Sequence, residues 1–473
     1  MIIHEHQVLQ RDADDQARVR LDSGEVVVLP VGGPYDVGGA RDVLVGDLWV
    51  LAGQSNMEGV GDLVDVEAPS PFVHSYQSRE RWAVAVEPLH WLGESPRLIH
   101  HRLWGRDRVP DQPDPRDPHR DKGAGLGLTF AKRRHACTGV PVGLIPSAHG
   151  GTSMTQWDPA LRDEGGASLY GATIARVRAV GGRVAGVLWY QGESDANPDD
   201  LPHYKERLTR LVDAFRADLG QSDLPVYYVQ IGRFIEGSAS VAGWNGIREA
   251  QRTWAGTRPR TAMVAAIDLA LDDLVHIGTS GLQRLGARLA DAVDGHAAPH
   301  IADVRIEGEG DHARIRVSYG GVRGGLRAPD RPAGFTLRDP AGRELPMIYK
   351  VTLDGDAVVL HLVADALPPD MRLWYGWGLD PYCNVTDAAD MAVPAFGPLP
   401  LPYDRAIAFK FALAPQFSVL NRNDAAHPAE HLAIGPYEPA TVILRVTGTQ
   451  CIRRFCSTNS LVWASPCHNH AII

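Results

Sequence analysis

Short apolar runs, each closed by glycine or polar residues, alternate with stretches of helical spacing through the middle of the chain. Leu48-Trp49-Val50-Leu51-Ala52 is one such run, and Gly53-Gln54-Ser55-Asn56-Met57 follows it. A continuous apolar run of this length, bounded by glycine, reads as a buried strand. Residues 141–146, 184–190, 224–232 and 261–271 repeat the pattern. Between them, Leu208, Leu211, Val212 and Phe215 recur at helical spacing within 201–219, and Leu282, Leu285, Leu289 and Val293 do so after His276. This β-α alternation predicts an α/β fold: a parallel sheet with helices on both faces, in the flavodoxin-like three-layer arrangement.

The ends of the chain are patterned differently. Residues 17–21 and 25–29 read as short β runs with turn residues between them, and 313–318, 334–337, 357–362 and 371–377 as strands separated by Gly, Pro and Asp. The expected organisation is a small β-rich module at 1–45, an α/β domain at 46–296, a β-rich accessory domain at 297–403 and an irregular tail at 404–473. Residues 87–123 interrupt the alternation. They are rich in Pro, Asp, Arg and His and predict an irregular surface insertion. The tail carries Cys451, Cys456, Cys467, His468 and His470, whose spacing matches no zinc-ligand pattern.

Composition narrows the function classes. A chain of 473 residues is long for one domain, and a hydrophobic fraction of 44% supports a sizeable core. The net charge of −10 argues against a general binder of nucleic acid or anionic membrane. Five cysteines, an odd count, fit a reducing compartment better than a disulfide framework. With no secretory h-region at the start and no apolar run of bilayer length, the expected location is cytoplasmic and soluble. The sequence has no P-loop, no H-E-x-x-H helix, no dinucleotide fingerprint and no G-x-S-x-G elbow, so no cofactor and no metal are expected.

The candidate chemistry lies at the ends of the expected strands, where open α/β sheets bind their ligands. Ser55 follows the first run. It reads either as a helix N-cap or as a hydroxyl presented beside backbone N–H groups able to hold an oxyanion. Asp273 stands three residues before His276 on one short loop. That spacing lets the carboxylate accept the Nδ1 proton and leaves Nε2 as a base, which is what a serine nucleophile needs. His149-Gly150-Gly151-Thr152 and Gln191-Gly192-Glu193-Ser194 follow two further runs, offering close backbone approach and a side-chain amide.

Together these segments resemble the SGNH hydrolases, specifically the sialate O-acetylesterase and acetylxylan esterase branch. The resemblance rests on Gly53-Gln54-Ser55-Asn56-Met57-Glu58, on Gly150-Gly151-Thr152 with Trp157, on Gln191-Gly192-Glu193-Ser194 and on Asp273-Leu274-Val275-His276. It implies Ser55 as nucleophile, His276 as general base and Asp273 as the orienting acid, with Glu193 as the rival acid. The oxyanion hole it implies combines the Ser55 N–H, a glycine N–H (Gly151 ahead of Gly150) and the Gln191 side chain. The implied partner is an acetylated carbohydrate, hydrolysed through an acetyl-serine, and no nucleic acid or membrane. The alternatives are another ester handled by the same residues, or a carbohydrate-binding protein without catalysis. Trp91, Trp104, Trp157 and Trp189 are candidates for packing on sugar faces, and Arg97, Arg102 and Arg233 for meeting a sialate carboxylate. Since the base must be neutral, activity is expected to rise from mildly acidic pH towards neutrality.

Overall fold

The first apolar run belongs to a longer strand, Ala40–Gly53, on which the rest of the α/β portion is arranged. Its first half pairs with Val8–Gln10 in parallel and with Gly32–Val37 in antiparallel sense. Its second half lies between Gly186–Tyr190 and Val142–Pro146, parallel to both. Val226–Gln230 and Thr261–Ala265 extend the parallel sheet on one side. On the other side Val73–Tyr76 is parallel, and Trp82–Val84 closes the edge in antiparallel sense. Val142–Pro146 and Gly186–Tyr190 are buried along their whole length, which is why they read as unbroken apolar runs instead of alternating ones. The computed structural model describes residues 3–402 apart from 115, 117–118, 238, 309–312, 364–367 and 369. The expectations for the tail, including its Cys and His residues, fall outside them.

Helices Gly127–Thr138 and Thr279–Val293 pack on each other, as do Tyr204–Asp218 and Val241–Trp254, and Leu169–Ala179 completes the layers around the sheet. Thr279–Val293 buries Leu282, Leu285 and Leu289, the stripe its spacing predicts. Two of the helices start on serine caps. Ser168 Oγ accepts the Gly171 N–H at 3.0 Å, and Ser240 Oγ accepts the Gly243 N–H at 2.9 Å. No helix among the described residues is long and apolar enough to cross a membrane.

Beyond this sheet the chain turns antiparallel. His300–Glu307, Arg314–Gly320, Ala357–Leu362 and Ile348–Asp354 form one four-stranded sheet. Glu344–Leu345, Phe335–Arg338, Arg372–Tyr375 and Phe396–Pro400 form another, and the two share a core of Ile315, Val317, Leu360, Phe335, Leu373 and Tyr375. This portion is fastened to the α/β sheet by polar bonds. The Gln230 side chain donates to Ala395 O and accepts the Ala395 N–H, both at 2.8 Å. Arg248 donates to the carbonyls of Gly376, Gly378 and Leu379.

The 87–123 segment is an irregular surface insertion over 102–113, as expected, but its first part is not. Leu89, His90, Leu92, Ser95, His100 and His101 are buried. Three of its histidines find partners inside the protein: His90 Nε2 accepts the Ala148 N–H, His100 Nδ1 meets His149 Nδ1 at 2.9 Å, and His101 Nε2 meets Ser95 O. Polar composition points to the surface, but a hydrogen bond to one nitrogen of each of these rings lowers the cost of burial.

Candidate active site

Ser55 opens the short helix Ser55–Glu58, one residue past the end of the Ala40–Gly53 strand. Gly53 has φ +134°, and a Cβ there would stand 2.1 Å from Tyr190 O, so only glycine lets this strand end close against its neighbour. Gln54, not Ser55, occupies the N-cap position. The Met57 and Glu58 N–H groups bond back to Gln54 O. The N–H groups of Ser55 and Asn56 then have no protein acceptor among the described residues, the usual state of a helix's first turn.

The Gly150-Gly151 loop, which follows Val142–Pro146, lies beside this turn. A Cβ on Gly150 would touch Ser55 Cβ at 3.4 Å. The Gly150 N–H is engaged by Glu58 Oε2 at 2.7 Å, whereas the Gly151 N–H has no acceptor among the described residues. Burial pushes the Glu58 carboxyl up to about 7, against the Gly150 N–H and the charge of Arg120, which pull it down. Behind the loop, burial holds His149 down to about 4 and His90 to about 3, so both are neutral at ordinary pH.

His276 comes from the loop between Thr261–Ala265 and Thr279–Val293. Asp273 Oδ2 lies 2.7 Å from His276 Nδ1, while Oδ1 accepts the N–H groups of Val275 and His276 at 2.9 and 2.8 Å. Burial raises the Asp273 carboxyl, but these bonds and the imidazole outweigh it and hold it at about 2. An ionised carboxylate only accepts, so Nδ1 carries the proton and Nε2 is left with its lone pair. Glu193 makes no bond to this histidine; its Oε1 accepts Asn56 Nδ2 at 3.0 Å. Burial raises its pKa, and the Asn56 bond opposes the rise.

Ser55, Gly151, Glu193 and His276 all line one cleft of about 760 Å³. Its walls are mostly apolar, formed by Val60, Ala196, Pro198, Phe234, Trp244 and Val275. The Phe234 and Trp244 rings stack at 4.9 Å and 13°. The ionisable groups among the lining residues are Glu58, Glu193 and His276, with no arginine or lysine. No hydrogen bond joins Ser55 Oγ to the imidazole among the described residues. Such bonds commonly tighten only when substrate is bound.

Gln191 lies apart from the other expected donors. Its side chain is fully buried, outside the cleft lining, and its Nε2 donates to Thr152 O at 3.1 Å and to Asp195 Oδ2 at 2.5 Å. Both amide protons are thereby taken, and none remains for an oxyanion. Burial pushes Asp195 itself up to about 6. Gln191 braces the loop after Gly151 from behind.

The aromatic and basic candidates divide similarly. Trp157 and Trp189 are core residues packed edge to face at 5.2 Å. Trp91 lies under the guanidinium groups of Arg116 and Arg120, and Trp104 packs against His149. Arg97 is paired with Glu80 and Arg233 with Asp380, while Arg102 is exposed; none of the three lines the cleft. Phe234 and Trp244 were not among the sequence candidates. The available signal was their place after Val226–Gln230, at the same edge of the sheet as the other site loops.

Residues 45–294 match the family model described as carbohydrate esterase, sialic acid-specific acetylesterase. A probable carbohydrate esterase of Arabidopsis thaliana is 31% identical over 254 residues, which are 52% of this chain and 89% of that protein. The crystal structure of a carbohydrate acetylesterase from Xanthomonas citri covers 84% of this chain and 98% of its own, at 24% identity and a TM-score of 0.58, a likeness of fold.

Proposed function

We propose that this chain, which belongs to the carbohydrate esterase family described as sialic acid-specific acetylesterase, removes acetyl groups from sugar hydroxyls through an acetyl-serine on Ser55. Membership makes it an ester-hydrolysing enzyme; the serine mechanism and the choice of sugar are the steps beyond. The observation that carries the reading is the shared cleft, lined both by Ser55 and by a histidine whose Nδ1 is bonded to an ionised aspartate.

In this mechanism His276 Nε2 takes the Ser55 proton as Oγ attacks the acetyl carbonyl. The imidazolium that forms is stabilised by Asp273, and the tetrahedral oxyanion is received by the N–H groups of Ser55 and Gly151. An oxyanion donor is typically worth ~2.7–4 kcal/mol of the barrier. His276 then returns the proton to the departing sugar oxygen. Water resolves the acetyl-serine by the same route, releasing acetate.

The family description names sialic acid, but the cleft favours a second reading of the sugar. A sialate carboxylate would meet Glu58 and Glu193 there, with no cationic side chain among the lining residues to pair with it. A neutral acetylated sugar has no such cost, and its apolar face suits the Phe234–Trp244 wall. The test is acetate release by wild type and Ser55→Ala from 9-O-acetyl sialic acid and from an acetylated xylo-oligosaccharide. Release that vanishes in Ser55→Ala supports the serine mechanism, and faster release from the xylo-oligosaccharide supports the neutral sugar. Equal release by Ser55→Ala would overturn the mechanism. Failure of both release and fluorophosphonate labelling would favour a binding protein.

A further inference from the structure

We infer that Asn56 is a positioning residue, which registers the base against the nucleophile with one buried side chain. The inference rests on the proposed Ser55–His276 chemistry. Asn56 adjoins Ser55 in the helix turn and is almost wholly buried. Its Oδ1 accepts the Ile277 N–H at 3.0 Å, and its Nδ2 donates to Val275 O at 3.3 Å. Val275 and Ile277 are the two neighbours of His276, so one carboxamide grips the backbone on both sides of the base. The second Nδ2 proton goes to Glu193 Oε1 at 3.0 Å, which fixes the plane of the amide. Both protons and the oxygen are therefore occupied, and no other residue type of this size supplies two donors and an acceptor in one plane.

Other ties to this loop run through exposed groups. The Asp62 N–H donates to Asp272 Oδ2 at 3.2 Å, the Thr279 hydroxyl donates to Asp62 O, and the Ile235 N–H donates to Leu274 O at 2.8 Å. Those groups are exposed, where water competes for the same bonds. The Asn56 bonds are buried or nearly so and start from the residue next to Ser55. A shift of the base by about 1 Å can cost roughly 10²-fold in rate, so a side chain that sets this distance acts on turnover without touching substrate.

The test is a double-mutant cycle with p-nitrophenyl acetate, whose activated leaving group keeps weak variants measurable. Asn56→Ala is expected to lower kcat by ~10–100-fold with KM changed less than about 3-fold, and to retain wild-type fluorophosphonate stoichiometry. Placed on His276→Ala, the same change should cost less than about 2-fold, because the group it positions is gone. Asn56→Asp keeps the acceptor for Ile277 but sets an oxygen against Val275 O and Glu193. It should show the same pattern and serves as the measured variant if Asn56→Ala does not fold. An equal loss on both backgrounds would assign Asn56 a structural role and overturn the inference alone. Full activity in His276→Ala would overturn the proposed function, and this inference with it.

Discussion

The two halves of the site are held in different ways. Ser55 sits on a turn whose backbone is clamped by the sheet, with Gly53 pressed against Tyr190 and the 57–58 amides closed onto Gln54. His276 sits on a loop whose Asp273 is 39% exposed, anchored by the buried Ile277 and oriented by polar bonds. The nucleophile's position thus follows from strand geometry and tolerates little change. The base's orientation rests on hydrogen bonds as well as on the packing of Ile277, and each of those bonds can be removed singly. The Ser55 half should fail all at once and the His276 half by degrees.

Ser55→Ala should give the largest effect, a loss of turnover of ~10⁴-fold or more with the fold retained, read by acetate release and thermal unfolding. Residual turnover within 10-fold of wild type would separate the clamped serine from the chemistry. Asp273→Asn comes next. It removes the anion that fixes the tautomer and should cost about 10²–10⁴-fold in kcat, the lower part of that range reflecting its exposure. Glu193→Gln should cost far less, because that carboxylate bonds Asn56 and not His276. The reverse order would transfer the acid's role to Glu193.

Much of this was legible in the chain. The apolar runs at 48–52, 141–146, 184–190 and 261–271 set the strands, the last of them only to Ala265, and the short polar segments after them set which loops meet at one edge. The three-residue spacing of Asp273 and His276 was enough to bring their side chains together on one loop. The direction of Gln191 was not legible, because the groups that take its protons, Asp195 and Thr152 O, are buried only in the folded state. The apolar wall was hidden for a similar reason. Phe234 lies in a loop and Trp244 in the next helix, and only the fold stacks them. The polar composition of the 87–123 segment points to the surface, yet His90, His100 and His101 are buried against partners that only the fold supplies.

Two smaller effects sharpen the contrast between the halves. Phe234→Ala should raise KM for sugar esters by ~5–10-fold and leave hydrolysis of p-nitrophenyl acetate nearly unchanged, since Phe234 is only partly buried and lines the cleft in front of the core residue Trp244. A matching loss on both substrates would mean that Phe234 supports the fold instead. The smallest effect concerns pH. Burial pushes Glu87 up to about 7 from an ordinary carboxylate value, against the N–H groups of Gly125 and Leu89, which pull it down. Its contribution to stability is complete below about pH 4.5 and is lost as pH rises through 7, by at most ~3 kcal/mol. Glu87→Gln should therefore raise the unfolding temperature relative to wild type at pH 8 and not at pH 4.5. An equal shift at both values would contradict the buried charge.

The central claim is that acetyl passes through Ser55 under the action of the His276 loop. Its most direct test is rapid acid quenching during turnover of an acetylated substrate, followed by peptide mass spectrometry. The account predicts one acetyl group on the peptide containing Ser55 in wild type, absent in Ser55→Ala and accumulating more slowly in Asp273→Asn. Turnover without any acetylated peptide, or with acetyl on another residue, would contradict it.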